Sequence, residues 1–319
     1  MTEKNKWDPN TAIMVLQETF KDEIQLDRPL ADLNTLGTGG RAKIYMEVTS
    51  GEELSRLLRV VNRLKVPFFM IGGGSNLLIS DSGYDGLIIR NAIAGLEKRD
   101  EEIIAGAGEN LQSLVDFATG SNLTGLEFAS GIWGTVGGAI YGNAGAYGGD
   151  IGGVLVSAEI ADRYGNIRAE KRDYFDFAYR SSRLKTTGEF VIRATFALKM
   201  GERETIQHRI DEIMAARKSR LPLNMRTAGC VFKNIPDNNE KFGKLAAGKL
   251  LEEIGAKNMR IGDARVSVEH ANIIVNSGSA SSNDIWKLVR LLKMKVKDNF
   301  GIELQEEIVR LGEFEEDGL

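Results

Sequence analysis

The chain has almost nothing from which to build a metal centre or a covalent staple, with one cysteine, Cys230, and two histidines, His208 and His270, in 319 residues. A lone cysteine cannot close an intramolecular disulfide, and one thiol with two imidazoles does not make a zinc-ligand set. No D-x-D-x-D-G loop offers carboxylates to a hard cation, so no metal is expected. Long apolar runs are missing too. No stretch approaches the ~18 uninterrupted apolar residues of a membrane helix, and the opening MTEKNKWDPN has no apolar signal-like core. The expectation is a soluble, cytoplasmic protein. Nor is there a surplus of positive charge: 41 Lys and Arg against 45 Asp and Glu give no global pull toward nucleic acid or an anionic membrane. Any anionic ligand must meet a local cationic patch.

What the chain does have is apolar residues, 42% of the total, enough for two ordinary cores at this length. It also has glycine. The stretch FASGIWGTVGGAIYGNAGAYGG, residues 128–149, carries glycine at 131, 134, 137, 138, 142, 145, 148 and 149. Backbone without Cβ can approach a flat, bulky group closely or take positive φ. The intervening residues are small or apolar, unlike the serine and charge of a flexible linker. Two readings stand side by side, a ligand-lining segment and a glycine-rich packing turn.

The first 30 residues carry Ile13, Leu16, Phe20 and Ile24 at mostly helical spacing and predict an N-terminal helix. LNTLGTGGRAKIYMEV, residues 33–48, reads as an extended segment, a glycine turn and a strand. Ser50 with Glu53 predicts a capping box for a helix whose inner face is Leu54, Leu57, Leu58 and Val61 and which stops by Pro67. Apolar residues then lead into Gly72, Gly73 and Gly74, with another strand at Leu77, Leu78 and Ile79. This loop is neither G-x-G-x-x-G opening a helix nor a Walker loop, which would need G-K-[ST]. It is either a plain glycine hairpin or a nest whose N–H groups, with Ser75 and Asn76, hold a diphosphate.

A short helix is expected over residues 110–118 with Gly120 as terminator, strands over 154–161 and 190–198, and a turn at 164–166. Long helices are expected around 206–217, with His208 on the solvated side, and over 283–299, where Lys287, Arg290, Lys293, Lys295 and Lys297 read as a solvated face. A shorter helix over 245–254 ends at Gly255. A domain boundary falls near residue 200, helices and strands interleave on both sides of it, and there is no internal repeat.

Taken one at a time, three candidate reactive residues have bland explanations. Cys230, in TAGCVFKN, fits a small core residue, Arg180, in FAYRSS, a surface or ion-paired arginine, and Glu307, in GIELQEEIVRLG, a solvated acid on an edge strand. Their ordered combination is specific. NTLGTGGRA, IGGGSNLL, GTVGGAIYGNAGAYGG, FAYRSS, AGCVFKN, AGKLLEEIGAKNMRIGDARVS, EHANIIVN and LQEEIVRLG together resemble the UDP-N-acetylenolpyruvoylglucosamine reductase family across residues 33–312.

The resemblance implies an α+β protein. A two-subdomain FAD-binding fold of the PCMH/vanillyl-alcohol-oxidase type would occupy residues 1–66 and 67–200, with a substrate domain over 201–299 and a C-terminal strand, 300–319, returning to the flavin domain. Gly72, Gly73, Gly74, Ser75 and Asn76 would hold the FAD diphosphate, and Thr135, Gly137, Gly138, Asn143, Ala144 and Gly145 would line the flavin. Arg180, Cys230 and Glu307 match the family's catalytic arginine, proton donor and carboxylate. Lys233, Asn234 and Arg226, close to Cys230 in sequence, are candidates for the patch that meets a UDP diphosphate.

The implied activity is cytoplasmic reduction of UDP-N-acetylglucosamine enolpyruvate by NADPH through bound FAD, by a monomer acting on a small-molecule UDP-sugar in peptidoglycan precursor synthesis. Cys230 stands where many members have serine, and a thiol with a reference pKa near ~8.5 is the easier donor. Two further departures are Trp133, where proline is usual, and Gln305 and Glu306, where Glu-Pro is frequent. Glu306 thereby rivals Glu307, and alternation along a strand would let only one of them face the site. Rival functions are an FAD oxidoreductase of the same fold acting on another substrate, and a flavin-binding protein without turnover.

Overall fold

A computed structural model describes residues 7–240 and 243–315. Part of the opening segment read for a signal, residues 1–6, and the end of the C-terminal segment, residues 316–319, lie outside the described residues. The chain forms two compact units, one of residues 1–27, 43–73 and 85–216, the other of 28–42, 74–84 and 217–319.

The first unit is built on two sheets. One is four-stranded in the order Gln25–Pro29, Arg41–Val48, Tyr84–Asn91, Phe68–Ile71, the last two running parallel with Phe68 opposite Leu87. The helix Gly51–Arg63 buries Leu54, Leu57, Leu58 and Val61, and shares a core with Ile44, Met46, Val48, Leu87 and Ile89 of this sheet. Ser50 caps it through the Glu53 N–H, but Glu53 turns its carboxylate to the N–H of Thr49 at 2.7 Å, so the reciprocal bond of the expected box lands one residue early. The second sheet is antiparallel, in the order Ile167–Lys171, Leu155–Ala161, Phe190–Ala197, Glu102–Gly106, Leu96–Arg99. Its core takes in the helix Leu111–Gly120 and Val136 and Ile140 of the glycine-rich stretch.

Other expectations shift in detail. The N-terminal helix is Pro9–Phe20, and Ile24 lies beyond it, after a short 3₁₀ turn. Gly120 is the last helical residue of its helix, while the positive φ that turns the chain falls on Asn122 at 58°.

The second unit has one antiparallel sheet, ordered Arg226–Cys230, Ile273–Asn276, Ala264–Val266, Arg260–Ile261. The helix Ser282–Phe300 carries Ile285, Leu288, Val289, Leu292 and Val296 into the same core as Val266 and Ile274. Each such side chain contributes roughly 1.5–3 kcal/mol by leaving water. A complete capping box, Ser281 with Asp284, starts this helix, and Gly301 at φ 68° ends it. Its basic face is not uniformly solvated as expected, because Lys293 is half-buried and paired with Glu306 at 2.6 Å.

Within this unit the C-terminal strand is short. Val309–Leu311 runs parallel to Leu77–Ile79, with Val309 opposite Leu77, while Glu306 and Glu307 precede it. Among the described residues, no helix is long and apolar enough to cross a membrane.

Candidate active site

In the first unit the end of strand Phe68–Ile71 meets the glycine-rich stretch backbone to backbone. A Cβ on Gly72 would run into the Thr135 hydroxyl oxygen, and one on Gly73 would stand 3.0 Å from Gly134 Cα. Thr135 caps the helix Val136–Gly142 by accepting from the Gly138 N–H at 3.4 Å, and the Gly137 N–H donates to Ala107 O at 2.8 Å. In the same stretch the Ser130 hydroxyl is fully buried with no hydrogen-bond partner among the described residues. An unmet buried hydroxyl costs about 1–3 kcal/mol, so this is a place for a ligand with a polar edge. A glycine cradle with one unsatisfied hydroxyl fits a flavin, the group implied by the sequence.

Asn143 ends that helix in the left-handed conformation, φ 44°. Its amide donates to Ala178 O at 3.0 Å and accepts from the Gly152 N–H at 2.9 Å, tying the glycine stretch to the FAYRSS segment. Ala178 and Ser181 exchange both backbone hydrogen bonds at 3.1 Å, leaving Tyr179 and Arg180 at the tip of a tight turn. Arg180 takes φ 54°, at a turn position where glycine or asparagine is usual. Strain of this kind persists only where neighbours over-determine it. They do so here: Arg180 Nη1 donates to Gly145 O at 2.9 Å, its guanidinium lies 5.4 Å from the Tyr179 ring centre, and Lys185 Nζ donates to Arg180 O at 2.8 Å. Thr135, Gly137, Gly138, Asn143, Ala144, Gly145 and Arg180 are thus drawn into one neighbourhood.

The base of the same loop is closed by groups that sequence patterning did not reveal. Glu189, 9% exposed, accepts from Arg168 at 2.5 Å and from the Tyr174 hydroxyl at 2.6 Å. Burial alone would raise the Glu189 carboxyl, but hydrogen bonds from Tyr174, Arg168 and Thr187 outweigh it and hold it below the usual carboxylate range.

The second unit gathers the other group of candidates. Strand Arg226–Cys230 pairs Thr227 with Val275 and Cys230 with Ile273, so one extra residue is accommodated as a bulge. Gly229 supplies it at φ 75°. A bulge re-aims the following side chain, and here that side chain is the half-buried Cys230. Immediately beyond, the Glu307 N–H donates to Val231 O at 2.7 Å and the Lys233 N–H to Gln305 O at 2.9 Å. Asn76 brackets the same segment: its amide donates to Glu307 O at 3.0 Å, and its own carbonyl accepts from the Val309 N–H at 2.9 Å.

Asn234 accepts from the Ala247 N–H at 3.2 Å, capping a helix, Ala247–Glu253, whose own N-cap residue, Ala246, has no side-chain oxygen. Arg226 lies across Gly37, its Cδ 3.0 Å from where a Cβ would stand. Glu306 is committed to Lys293 at 2.6 Å and to Arg310 at 3.6 Å, with its side chain 18% exposed.

Nearby, burial pushes the His270 imidazole below its ordinary value, with Glu252 pulling it up and Lys257 pushing it further down. Asn272, the fourth residue of EHANIIVN, accepts from the Phe232 N–H at 2.9 Å and donates to Phe232 O at 2.7 Å, contacts with no signal in the sequence beyond the motif itself.

Two protein-family models match the chain, an FAD binding domain over residues 42–169 and the C-terminal domain of UDP-N-acetylenolpyruvoylglucosamine reductase over 221–311. The UDP-N-acetylenolpyruvoylglucosamine reductase of Listeria welshimeri is 37% identical over 300 residues, covering 93% of this chain and 99% of the relative. The enzyme of the same name from Clostridium novyi is 37% identical over 294 residues, covering 92% and 94%. Among solved structures, the UDP-N-acetylenolpyruvylglucosamine reductase of Thermus caldophilus superposes with a TM-score of 0.75 at 34% identity, covering 91% of this chain and 98% of that one.

Proposed function

The chain belongs to the UDP-N-acetylenolpyruvoylglucosamine reductase family and is an FAD-dependent oxidoreductase, and from that premise we propose the reaction and the residues that carry it out. The substrate is UDP-N-acetylglucosamine enolpyruvate, the product UDP-N-acetylmuramate, the reductant NADPH and the compartment the cytoplasm, as a step of peptidoglycan precursor synthesis. Residues 1–66 and 67–200 are the flavin-binding subdomains, 201–299 the substrate domain and 300–319 the returning segment. Val309–Leu311 pairs in parallel with Leu77–Ile79, both within the second unit.

FAD, held by residues 72–76 and by the stretch from Thr135 to Gly145, would supply two-electron redox chemistry between NADPH and the terminal vinyl carbon of the enolpyruvyl ether. The protein's residues then handle charge and proton. Negative charge builds on the enol carboxylate, and the Arg180 guanidinium, fixed on its strained turn, is the cationic donor that meets it. Glu307 assists as an O–H donor, since only the protonated acid is attractive to developing negative charge. One such donor is typically worth ~3 kcal/mol of barrier. The Cys230 thiol delivers the proton to the neighbouring carbon. Lys233, Arg226 and the Asn234 amide meet the UDP diphosphate. Residues 72–76 hold the FAD diphosphate, and the stretch from Thr135 to Gly145 lines the flavin.

The observation that carries this reading is the 2.7 Å bond from the Glu307 N–H to Val231 O, which fixes the carboxylate-bearing segment beside the thiol-bearing strand. Glu306 is occupied by Lys293 and Arg310, and the family motif supports Glu307 as the acting acid. Incubation with NADPH and the enolpyruvyl UDP-sugar should give one product heavier by two hydrogens for each NADPH consumed. NADPH oxidation with the sugar recovered unchanged would exclude the substrate.

A further inference from the structure

We infer that Asn272 is a positioning residue for the reaction, acting as a side-chain extension of the sheet that holds the backbone beyond Cys230 in register with Glu307. This rests on the functional reading above for the roles of those two groups, but the geometry stands by itself. Backbone pairing of strand Arg226–Cys230 with Ile273–Asn276 ends at Cys230 opposite Ile273. Past that point the Val231 N–H donates to Asn272 O at 2.8 Å. The Asn272 side chain then does what a further peptide group would do, accepting from the Phe232 N–H at 2.9 Å and donating to Phe232 O at 2.7 Å.

An amide can serve both backbone groups of one residue because it carries a donor and an acceptor on one planar group. Asn272 is 3% exposed and Phe232 1%, so water cannot replace either bond. The opposite edge of the same segment is bonded to the C-terminal residues, Val231 O to the Glu307 N–H at 2.7 Å and the Lys233 N–H to Gln305 O at 2.9 Å. Residues 231–233 therefore form a narrow ribbon with Asn272 on one side and Glu307 on the other, and Cys230 enters it directly from the Gly229 bulge. Withdrawal of the amide frees the ribbon on one side and lets thiol and carboxyl drift relative to each other. It makes no change at the glycine stretch of residues 128–149.

The test uses Asn272→Ala and Asn272→Asp in the FAD-loaded enzyme, with two independent readouts. In anaerobic stopped flow, bleaching of the flavin by NADPH should stay within about twofold of the parent protein, while recovery of the flavin band with the enolpyruvyl UDP-sugar should slow at least tenfold in Asn272→Ala. The carboxyl of Asn272→Asp keeps the acceptor and regains the donor only when protonated, so the ratio of its recovery rate to the parent's at the same pH should rise as pH falls. Separately, alkylation of Cys230 by iodoacetamide in the protein without substrate should be at least threefold faster in either variant.

Equal slowing of both half-reactions, unchanged recovery, or unchanged alkylation would each overturn the positioning role. Parent enzyme that shows no recovery with the sugar would instead reject the functional reading and leave alkylation to decide the clamp alone.

Discussion

Cys230 separates chemistry from architecture most cleanly at the residue scale, because its removal deletes a proton source but little volume. Cys230→Ser should keep measurable turnover. Cys230→Ala should slow the second half-reaction by roughly 10²- to 10⁴-fold, the usual value of a general acid, with flavin reduction by NADPH unaltered. Equal loss in both halves would count against the donor role. For the two adjacent acids, Glu307→Gln should lower turnover. Glu306→Gln should act on stability instead, because Glu306 pairs with Lys293 and Arg310. Its cost should fall between the ~1 kcal/mol of an exposed pair and the ~3 kcal/mol of a buried charged hydrogen bond, read as a shift in the urea midpoint. Reversal of these two outcomes would exchange the assignments.

His270 makes a pH prediction. Burial lowers its pKa in the folded state below the ~6.5 of an unfolded chain, so the folded protein binds fewer protons and stability is lost as pH falls through that window. The imidazole Nδ1 also accepts from the Asn272 N–H at 3.2 Å, a bond that protonation there would break. His270→Gln should flatten the melting temperature between about pH 7 and pH 5, and an unchanged slope would place the titrating group elsewhere.

Motifs sufficed to nominate Arg180, Cys230 and Glu307, because a family pattern preserves residue type and order. The ion pair of Glu306 with Lys293 and the amide clamp of Asn272 were not legible, since their partners lie 13 and 40 residues away.

At the scale of elements, helices read better than their ends. The inner face of Ser282–Phe300 is plain from the spacing of Ile285, Leu288, Leu292 and Val296, because burial imposes the period. Caps depend on single torsions, so Glu53 missing its box by one residue and Asn122 rather than Gly120 turning the chain could not be foreseen. The Gly229 bulge was equally hidden, since one inserted residue shows only against its partner strand. The close approach at Gly72 predicts that Gly72→Ala will displace Thr135 from its capping position and weaken FAD retention during gel filtration. Flavin content equal to that of the parent would show that the cradle tolerates a methyl group.

At the scale of the whole molecule, composition set the class and hid the partition. An apolar fraction of 42% announced sizeable cores, yet residues 28–42 and 74–84 group with 217–319, a discontinuity that no boundary drawn along the chain near residue 200 can express. Ligand binding should show in the stability of the whole. Free FAD at 100-fold over its dissociation constant should add about 2.7 kcal/mol to the folded state and raise the melting temperature of the apoprotein by several degrees. An apoprotein whose melting ignores FAD would contradict the cofactor fit of the glycine stretch.

The proposed activity requires one bound flavin to link NADPH and the enolpyruvyl UDP-sugar. The most direct test is the visible absorbance of the FAD-loaded protein under anaerobic conditions, with NADPH added first and the sugar second. NADPH should bleach the flavin band, and the sugar should restore it in full. Bleaching that the sugar leaves unreversed would contradict that activity.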